Sequence, residues 1–361
     1  MQRPRGTPKH QSVRRRRLDP ALFRFPIREI RAGYYSDKYF VRTRDILIQD
    51  GKDTRVTMQV FAKKRAVLCG TDEAIALLKQ CADRPDRLVI RALYDGDIFE
   101  PWETVMTIEG EYRTFAHLET LYLGILARRT AVATNVRAVV DAAAGKPVLF
   151  FAPRFDHFFN QAGDGYAAHV GGAAGVSTDA GGKWWGAEGI GTVPHALIAA
   201  YGGNTTRAAL AFDRYEAPDV HRIVLVDFDN DCVRIALEVA RALGEKLWAV
   251  RLDTAENLRD VSVEPKGMDS LGVCPELVWK VRRALDREGF QHVKIVLSGG
   301  FDADKVKLFV ELGVPFDAVG VGSWFFKNRV DFTADVVLVD GKPCAKAGRC
   351  YRPNPRLSRV P

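Results

Sequence analysis

No apolar run in the 361 residues approaches the length needed to cross a bilayer. The arginine-rich start lacks an apolar signal core, so a cytoplasmic chain without membrane partners is expected. Cysteine is scarce and scattered, at positions 69, 81, 232, 274, 344 and 350, and no pair has CxxC spacing. That pattern argues against a structural zinc site and for free thiols in a reducing compartment. The body also lacks a charge excess of either sign. Of the net charge of +8, residues 1–20 contribute seven basic side chains against Asp19, leaving +2 for residues 21–361. A near-neutral body argues against a nucleic-acid-binding domain built on a basic face. An isolated basic tail, here residues 1–20 and expected to be disordered, gives only weak, salt-sensitive binding. No short-period repeat is evident. What remains is ordinary for a folded chain: 47% hydrophobic and 27% charged residues, enough for a barrel and a smaller domain.

The first third reads as a small α+β unit. Short apolar strands are expected at 55–61, 87–93 and 105–108, with a helix capped by Thr71 and carrying Asp72 and Glu73 in its first turn. Helical periodicity then dominates 114–144, through Leu118, Leu121, Leu123 and Leu126, until Gly145 and Pro147 break it. Beyond this the chain alternates. Strands at 148–151, 223–226, 247–252, 294–297 and 318–321 are separated by amphipathic helices at 230–243 and 275–287 and by one capped by Asp302. Buried strands alternating with helices imply a parallel sheet covered by helices. The glycine-rich stretch 171–191 has no readable period.

Two of these strands end in glycine turns, Ser298-Gly299-Gly300 and Gly320-Val321-Gly322-Ser323. Glycine lets backbone N–H groups approach an anion closely, and two such turns on neighbouring strands can clasp one phosphate. Such turns also occur as plain connections, but a pair late in a strand–helix series marks the usual phosphate site of a (β/α) barrel. Other strand ends carry Arg154, Asp227, Asp229, Arg251 and Asp253. Arg251 and Asp253 are two apart on an extended segment, so they share a face. They can bind a ligand's anion or pair in a buried ionic network. His195 follows Pro194, a residue suited to a helix's first turn, and could act as a nucleophile or an electrostatic contact.

The order of motifs resembles the nicotinate phosphoribosyltransferase family from about residue 31 to residue 349, in its shorter archaeal and bacterial branch. The matches are the segment from Tyr35 to Phe40, the block from Ile108 to Thr120 that includes Glu119, the segment from Phe151 to Arg154, Gly175-Val176-Ser177, the segment from Gly191 to His195, Arg251-Leu252-Asp253-Thr254 and the two glycine turns. The resemblance implies a type II phosphoribosyltransferase of the α/β class: an irregular (β/α) barrel with an N-terminal α+β open-faced sandwich domain. Residues 21–145 would form that domain and its connecting helices, 146–332 the barrel with the phosphate site, and 333–361 a segment returning to the N-terminal domain. Only Cys344 and Cys350 stand where some members of the branch carry a zinc module.

The resemblance further implies joining of nicotinate to phosphoribosyl pyrophosphate with release of pyrophosphate, in NAD biosynthesis. Mg²⁺ would accompany the phosphate donor, and ATP hydrolysis would be coupled through His195, which matches a histidine that the family phosphorylates. Members are at least homodimers with shared sites. Tyr39 would reach the neighbouring subunit's site, and Phe151 would form the other side of an aromatic clamp on the pyridine. Arg154 and Arg251 would lie at the substrate, with Asp253 beside Arg251 and Lys64 on the pyrophosphate side. Ser298, Gly299, Gly300, Gly320, Gly322 and Ser323 would hold the 5′-phosphate. Related nicotinamide enzymes place an aspartate where Ser177 stands, and a neutral residue there is compatible with the acid. The alternative enzyme, quinolinate phosphoribosyltransferase, shares this fold and donor; a nucleic-acid-binding module is the non-enzymatic alternative.

Overall fold

A computed structural model describes residues 16–361. Most of the basic tail anticipated at 1–20 lies outside the described residues, but its last residues belong to the body. The Arg17 guanidinium donates to Asp72 at 2.8 Å and to the Ala92 carbonyl at 3.0 Å, and Leu18 N–H donates to Asp72 at 2.8 Å.

Helix Lys38–Gln49 leads into strands β1 (Arg55–Ala62) and β2 (Ala66–Val67). Helix Thr71–Cys81 follows, then β3 (Val89–Ala92), β4 (Ile98–Phe99) and β5 (Thr104–Glu111). Thr71 is the first helical residue and not the cap. Gly70 takes the cap position, and Asp95 accepts the Thr71 N–H at 2.8 Å, supplying from across the domain what the hydroxyl was expected to supply locally. The 24-residue helix Glu119–Ala142 then crosses to the second half of the molecule.

There β6 (Val148–Phe150), β7 (Gly175–Val176), β8 (Arg222–Leu225), β9 (Leu247–Leu252), β10 (Lys294–Leu297) and β11 (Ala318–Val321) alternate with helices. Finally β12 (Phe332–Val339), β13 (Lys342–Pro343) and β14 (Ser358–Arg359) return to the first half. β12 pairs antiparallel with β1, and β14 with β3, completing a six-stranded sheet in the order β13-β12-β1-β5-β3-β14. One face of that sheet buries Met58, Ile90, Met106 and Ile108 beneath helix Thr71–Cys81 and the long helix. This is the open-faced sandwich.

The second sheet is wholly parallel, in the order β7-β6-β11-β10-β9-β8. It curls until its edges meet one segment: Gly189 bridges Val176 at the end of β7, and Val193 bridges Val224 in β8, both in parallel sense. The result is an irregular barrel of the expected kind. Small residues, Ala249 and Ala318, share its interior with Leu149, Ile223 and Val296. The main core lies outside the strands, under the helices.

Candidate active site

A cavity of about 570 Å³ opens at the carboxyl ends of the barrel strands, where loops follow buried, rigid segments. Phe151 and Arg154 reach it just past β6, and Ser177 just past β7. Arg251 and Asp253 enter from β9, Ser298, Gly299 and Gly300 from β10, and Gly320, Gly322 and Ser323 from β11. Eleven of the residues singled out from sequence therefore line one space.

Arg251 is its electrostatic centre. Nε donates to Ser298 Oγ at 2.7 Å, Nη1 to Thr192 Oγ1 at 3.3 Å and Nη2 to Asp253 Oδ2 at 3.3 Å. Its guanidinium carbon stands 4.9 Å from the centre of the Phe151 ring. Burial pushes its pKa down and the Asp253 charge opposes that shift. The two readings open at the sequence level thus meet in one group: Arg251 and Asp253 form an ion pair, and that pair lines the cavity.

The two glycine turns do different work. Gly299 and Gly300 have φ of +83° and +67°, a backbone conformation that side chains with a Cβ rarely take. Glu256 lies directly against the second of them: a Cβ on Gly300 would come within 1.6 Å of its Oε1. In the other turn the constraint is steric packing. A Cβ on Gly320 would stand 2.3 Å from Phe151 ring carbons, and one on Gly322 would stand 2.6 Å from Phe155. The bare backbone therefore serves as the floor on which both aromatic rings rest, besides facing the cavity.

Asp227 and Asp229 do not line the cavity, and three of the residues implied by the family resemblance also stand apart. His195 is the first residue of helix His195–Ala200, with Pro194 at the cap position and outside the first turn. Its Nε2 lies 2.9 and 3.0 Å from the two Asp227 oxygens, and this hydrogen bond raises its pKa. Asp253 raises it further and Arg251 opposes, so the histidine senses the charges of the cavity. Lys64 is exposed in the N-terminal domain, with Nζ donating to the Arg329 carbonyl at 3.4 Å. Tyr39 is 59% exposed on helix Lys38–Gln49.

This chain is 29% identical to a nicotinate phosphoribosyltransferase of Mycobacterium tuberculosis, over 90% of its own length and 76% of that protein's. The quinolinate phosphoribosyltransferase N-terminal domain family matches residues 37–130. The solved nicotinate-nucleotide pyrophosphorylase of Pyrococcus furiosus is 35% identical, covers 94% of this chain and 86% of its own, and superposes with a TM-score of 0.80. The chain belongs to the nicotinate and quinolinate phosphoribosyltransferases. Human nicotinic acid phosphoribosyltransferase shares the fold of this phosphoribosyltransferase at 17% identity, with a TM-score of 0.68 over 86% of this chain and 76% of the human one.

Sequence reasoning missed several lining residues of the phosphoribosyltransferase: Phe155, Thr192, Glu256, Trp324 and Lys327. Glu256 had a legible signal, a carboxylate three residues past Asp253 on the same strand exit. Lys327 had none, because a single lysine after an apolar run looks like any solvated side chain. Thr192 was hidden because the barrel is closed by a segment that is not a regular strand.

Proposed function

We propose that this phosphoribosyltransferase joins nicotinate to phosphoribosyl pyrophosphate, forming nicotinate mononucleotide and pyrophosphate in NAD salvage. The observation that carries the reading is the convergence of a half-buried arginine, an aromatic ring and two glycine turns in one cavity. Phe151 would hold the pyridine face, with Arg251 and Arg154 drawing its carboxylate. The neutral Ser177 at the rim leaves that carboxylate unopposed. Backbone N–H groups of the two glycine turns, with Ser298 and Ser323, would fix the 5′-phosphate.

The pyridine nitrogen displaces pyrophosphate from C1′, and positive charge grows on the ribose as the C–O bond breaks. Asp253 would offset that charge, while Lys327 and Lys64 would receive the leaving pyrophosphate. Mg²⁺ bound to the donor would neutralise pyrophosphate charge. The donor set fits a metal that arrives with its substrate. Asp253 and Glu256 line the cavity, whereas no group of three metal-ligating side chains occurs among the described residues. His195 would accept the terminal phosphoryl group of ATP, with ADP leaving, and Asp227 would orient its ring through Nε2. Tyr39 would complete the pyridine site of a neighbouring subunit in a homodimer, a role consistent with its exposure beside Tyr34 and Tyr35, which are 74% and 49% exposed.

A second reading, quinolinate as the pyridine with loss of CO₂, draws on the printed name of the Pyrococcus furiosus relative and on three cations, Arg154, Arg251 and Lys327, at one cavity. One assay separates the two. Phosphoribosyl pyrophosphate and Mg²⁺ are supplied with nicotinate, nicotinamide or quinolinate, each with and without ATP. The proposal requires mononucleotide from nicotinate and its stimulation by ATP. Turnover of quinolinate alone selects the second reading, and preference for nicotinamide refutes the role given to Ser177.

A further inference from the structure

The cavity has two adjoining walls, on the neighbouring strands β6 and β11, and neither is held by its own strand alone. One wall is the loop after β6, carrying Phe151, Arg154 and Phe155. The other is the turn after β11, carrying Gly320, Gly322 and Ser323. A single side chain outside the cavity, Arg128 on the long helix, reaches the supports of both. Its Nε and Nη2 grip Asp164 at 3.1 and 2.7 Å as a two-pronged pair, and Nη2 also contacts Asp156 in the first loop. Its guanidinium carbon lies 4.3 Å from the centre of the Phe326 ring, at the exit of the second.

We propose that Arg128 is a positioning residue that fixes how these adjoining walls seat against each other, and with it the affinity for the phosphate donor. Asp164 is buried and shared with Arg129, whose Nη1 donates to it at 2.9 Å while Nε donates to Glu73 at 2.9 Å, so the anchor of the grip is fixed. Asp156 is the arm that reaches the loop. It also accepts from Asn160 at 3.1 Å and from the His157 N–H at 2.5 Å, so its carboxylate organises the loop and ties it to the helix together. One helical face holds the second wall twice: seven residues beyond Arg128, the buried Asn135 donates to the Phe325 carbonyl at 2.9 Å and to the Asn328 carbonyl at 3.2 Å. The rings of Phe151 and Phe155 rest on Gly320 and Gly322, so sliding one wall against the other changes the cradle's shape at the place where backbone must meet phosphate. The planar fork is essential to this function. A lysine keeps the charge but cannot grip Asp164 with two parallel bonds and face Phe326 at the same time.

The inference rests on the phosphoribosyl pyrophosphate reading, and its test is chosen to be separable from it. The variants are Asp156→Asn, which cuts only the loop arm and leaves the Arg128–Asp164 pair intact, Arg128→Lys and Arg128→Met. Amide hydrogen exchange, which needs no ligand, is measured over 151–160 and 322–328. Calorimetric affinity for phosphoribosyl pyrophosphate and its KM and kcat are measured beside thermal midpoints. Asp156→Asn is expected to keep the wild-type thermal midpoint, speed exchange in both segments and weaken donor binding about tenfold, the loss typical of a misplaced binding group. Arg128→Lys should resemble Arg128→Met and not rescue. Unchanged exchange, unchanged donor affinity in Asp156→Asn, or full rescue by lysine overturns the proposal. A wild type that binds the donor but turns over no pyridine acid overturns the activity reading alone, and one that does not bind it overturns both.

Discussion

At the scale of single residues, the site rests on substitutions the packing forbids. Gly320→Ala would drive a methyl group into the Phe151 ring, whose carbons lie 2.3 Å from the position a Cβ would take. The ring must swing, and the predicted outcome is a rise of about tenfold in KM for the pyridine substrate with the fold retained, measured by steady-state kinetics and thermal melting. His195 makes a prediction with a sign. Its pKa is raised, first by the hydrogen bond to Asp227, so it stays protonated to higher pH than a free histidine. The ion pair stabilises the fold fully below the ordinary histidine pKa, and that contribution fades as pH rises through the raised value. Phosphoryl acceptance needs the neutral ring, so ATP stimulation should grow with pH over the same interval. Asp227→Asn should move that growth to lower pH, and His195→Ala should abolish the stimulation while basal turnover persists. A histidine beside a proline could be picked out from sequence, but not its partner, since Asp227 is 32 residues away and its approach depends on barrel closure.

At the scale of elements, β8 to β11 and the helices between them were largely legible because each has a simple period: buried apolar strands of four to six residues, and amphipathic helices, two of which have acidic caps, Asp231 and Asp302. Asp302 does cap Ala303–Glu311, accepting the Lys305 N–H at 2.8 Å. The glycine-rich segment from 162 onward, running into the stretch 171–191 that has no readable period, resisted reading for a physical reason. Its glycines are there for tight packing: Gly163 leaves room for the Arg129 guanidinium, and Gly165 lies against the Gly181 backbone, yet helix Gln161–Gly171 forms across both. Propensity argues against a helix that tertiary contact imposes. The long helix carries a further titration. Burial, then Asp335 and Asp37, raise the pKa of Glu119 at its start from 4.5 to about 8. The folded chain therefore holds a proton that the unfolded chain releases, and this group's contribution to stability is lost between about pH 4.5 and about pH 8. Glu119→Gln should flatten that decline and raise the thermal midpoint at pH 8 relative to wild type, as followed by calorimetry across pH.

At the scale of the whole molecule, the two halves are tied by the long helix, by the return of β12 and β14 to the first sheet, and by the residues that enter the body at Arg17. The pairing of distant strands was visible only as an implication of family resemblance, because nothing in an eight-residue strand such as β12 says which edge it will join. Arg17 was misjudged because it ends a run of arginines whose composition suggests solvent. Its contacts with Asp72 and the Ala92 carbonyl, and its place 4.2 Å over the Tyr94 ring, make it part of the fold. Deleting residues 1–15 should leave turnover and melting unchanged. Extending the deletion through Leu18 should lower the thermal midpoint by several degrees, in keeping with loss of a part-buried charge pair and its backbone bonds.

The barrel is joined at its last edge by two isolated bridges, at Gly189 and Val193, where other neighbours share regular ladders. The residues between them, Ile190 to Thr192, also line the cavity. The thinnest part of the wall is therefore a part that faces the cavity. A molecule seated between Thr192, Arg251 and the glycine turns acts as a clasp across this seam, so filling the pocket should also seal the barrel. Amides at 189–193 should exchange faster than those of β9 in the empty enzyme and slow more than any others when the phosphate donor binds.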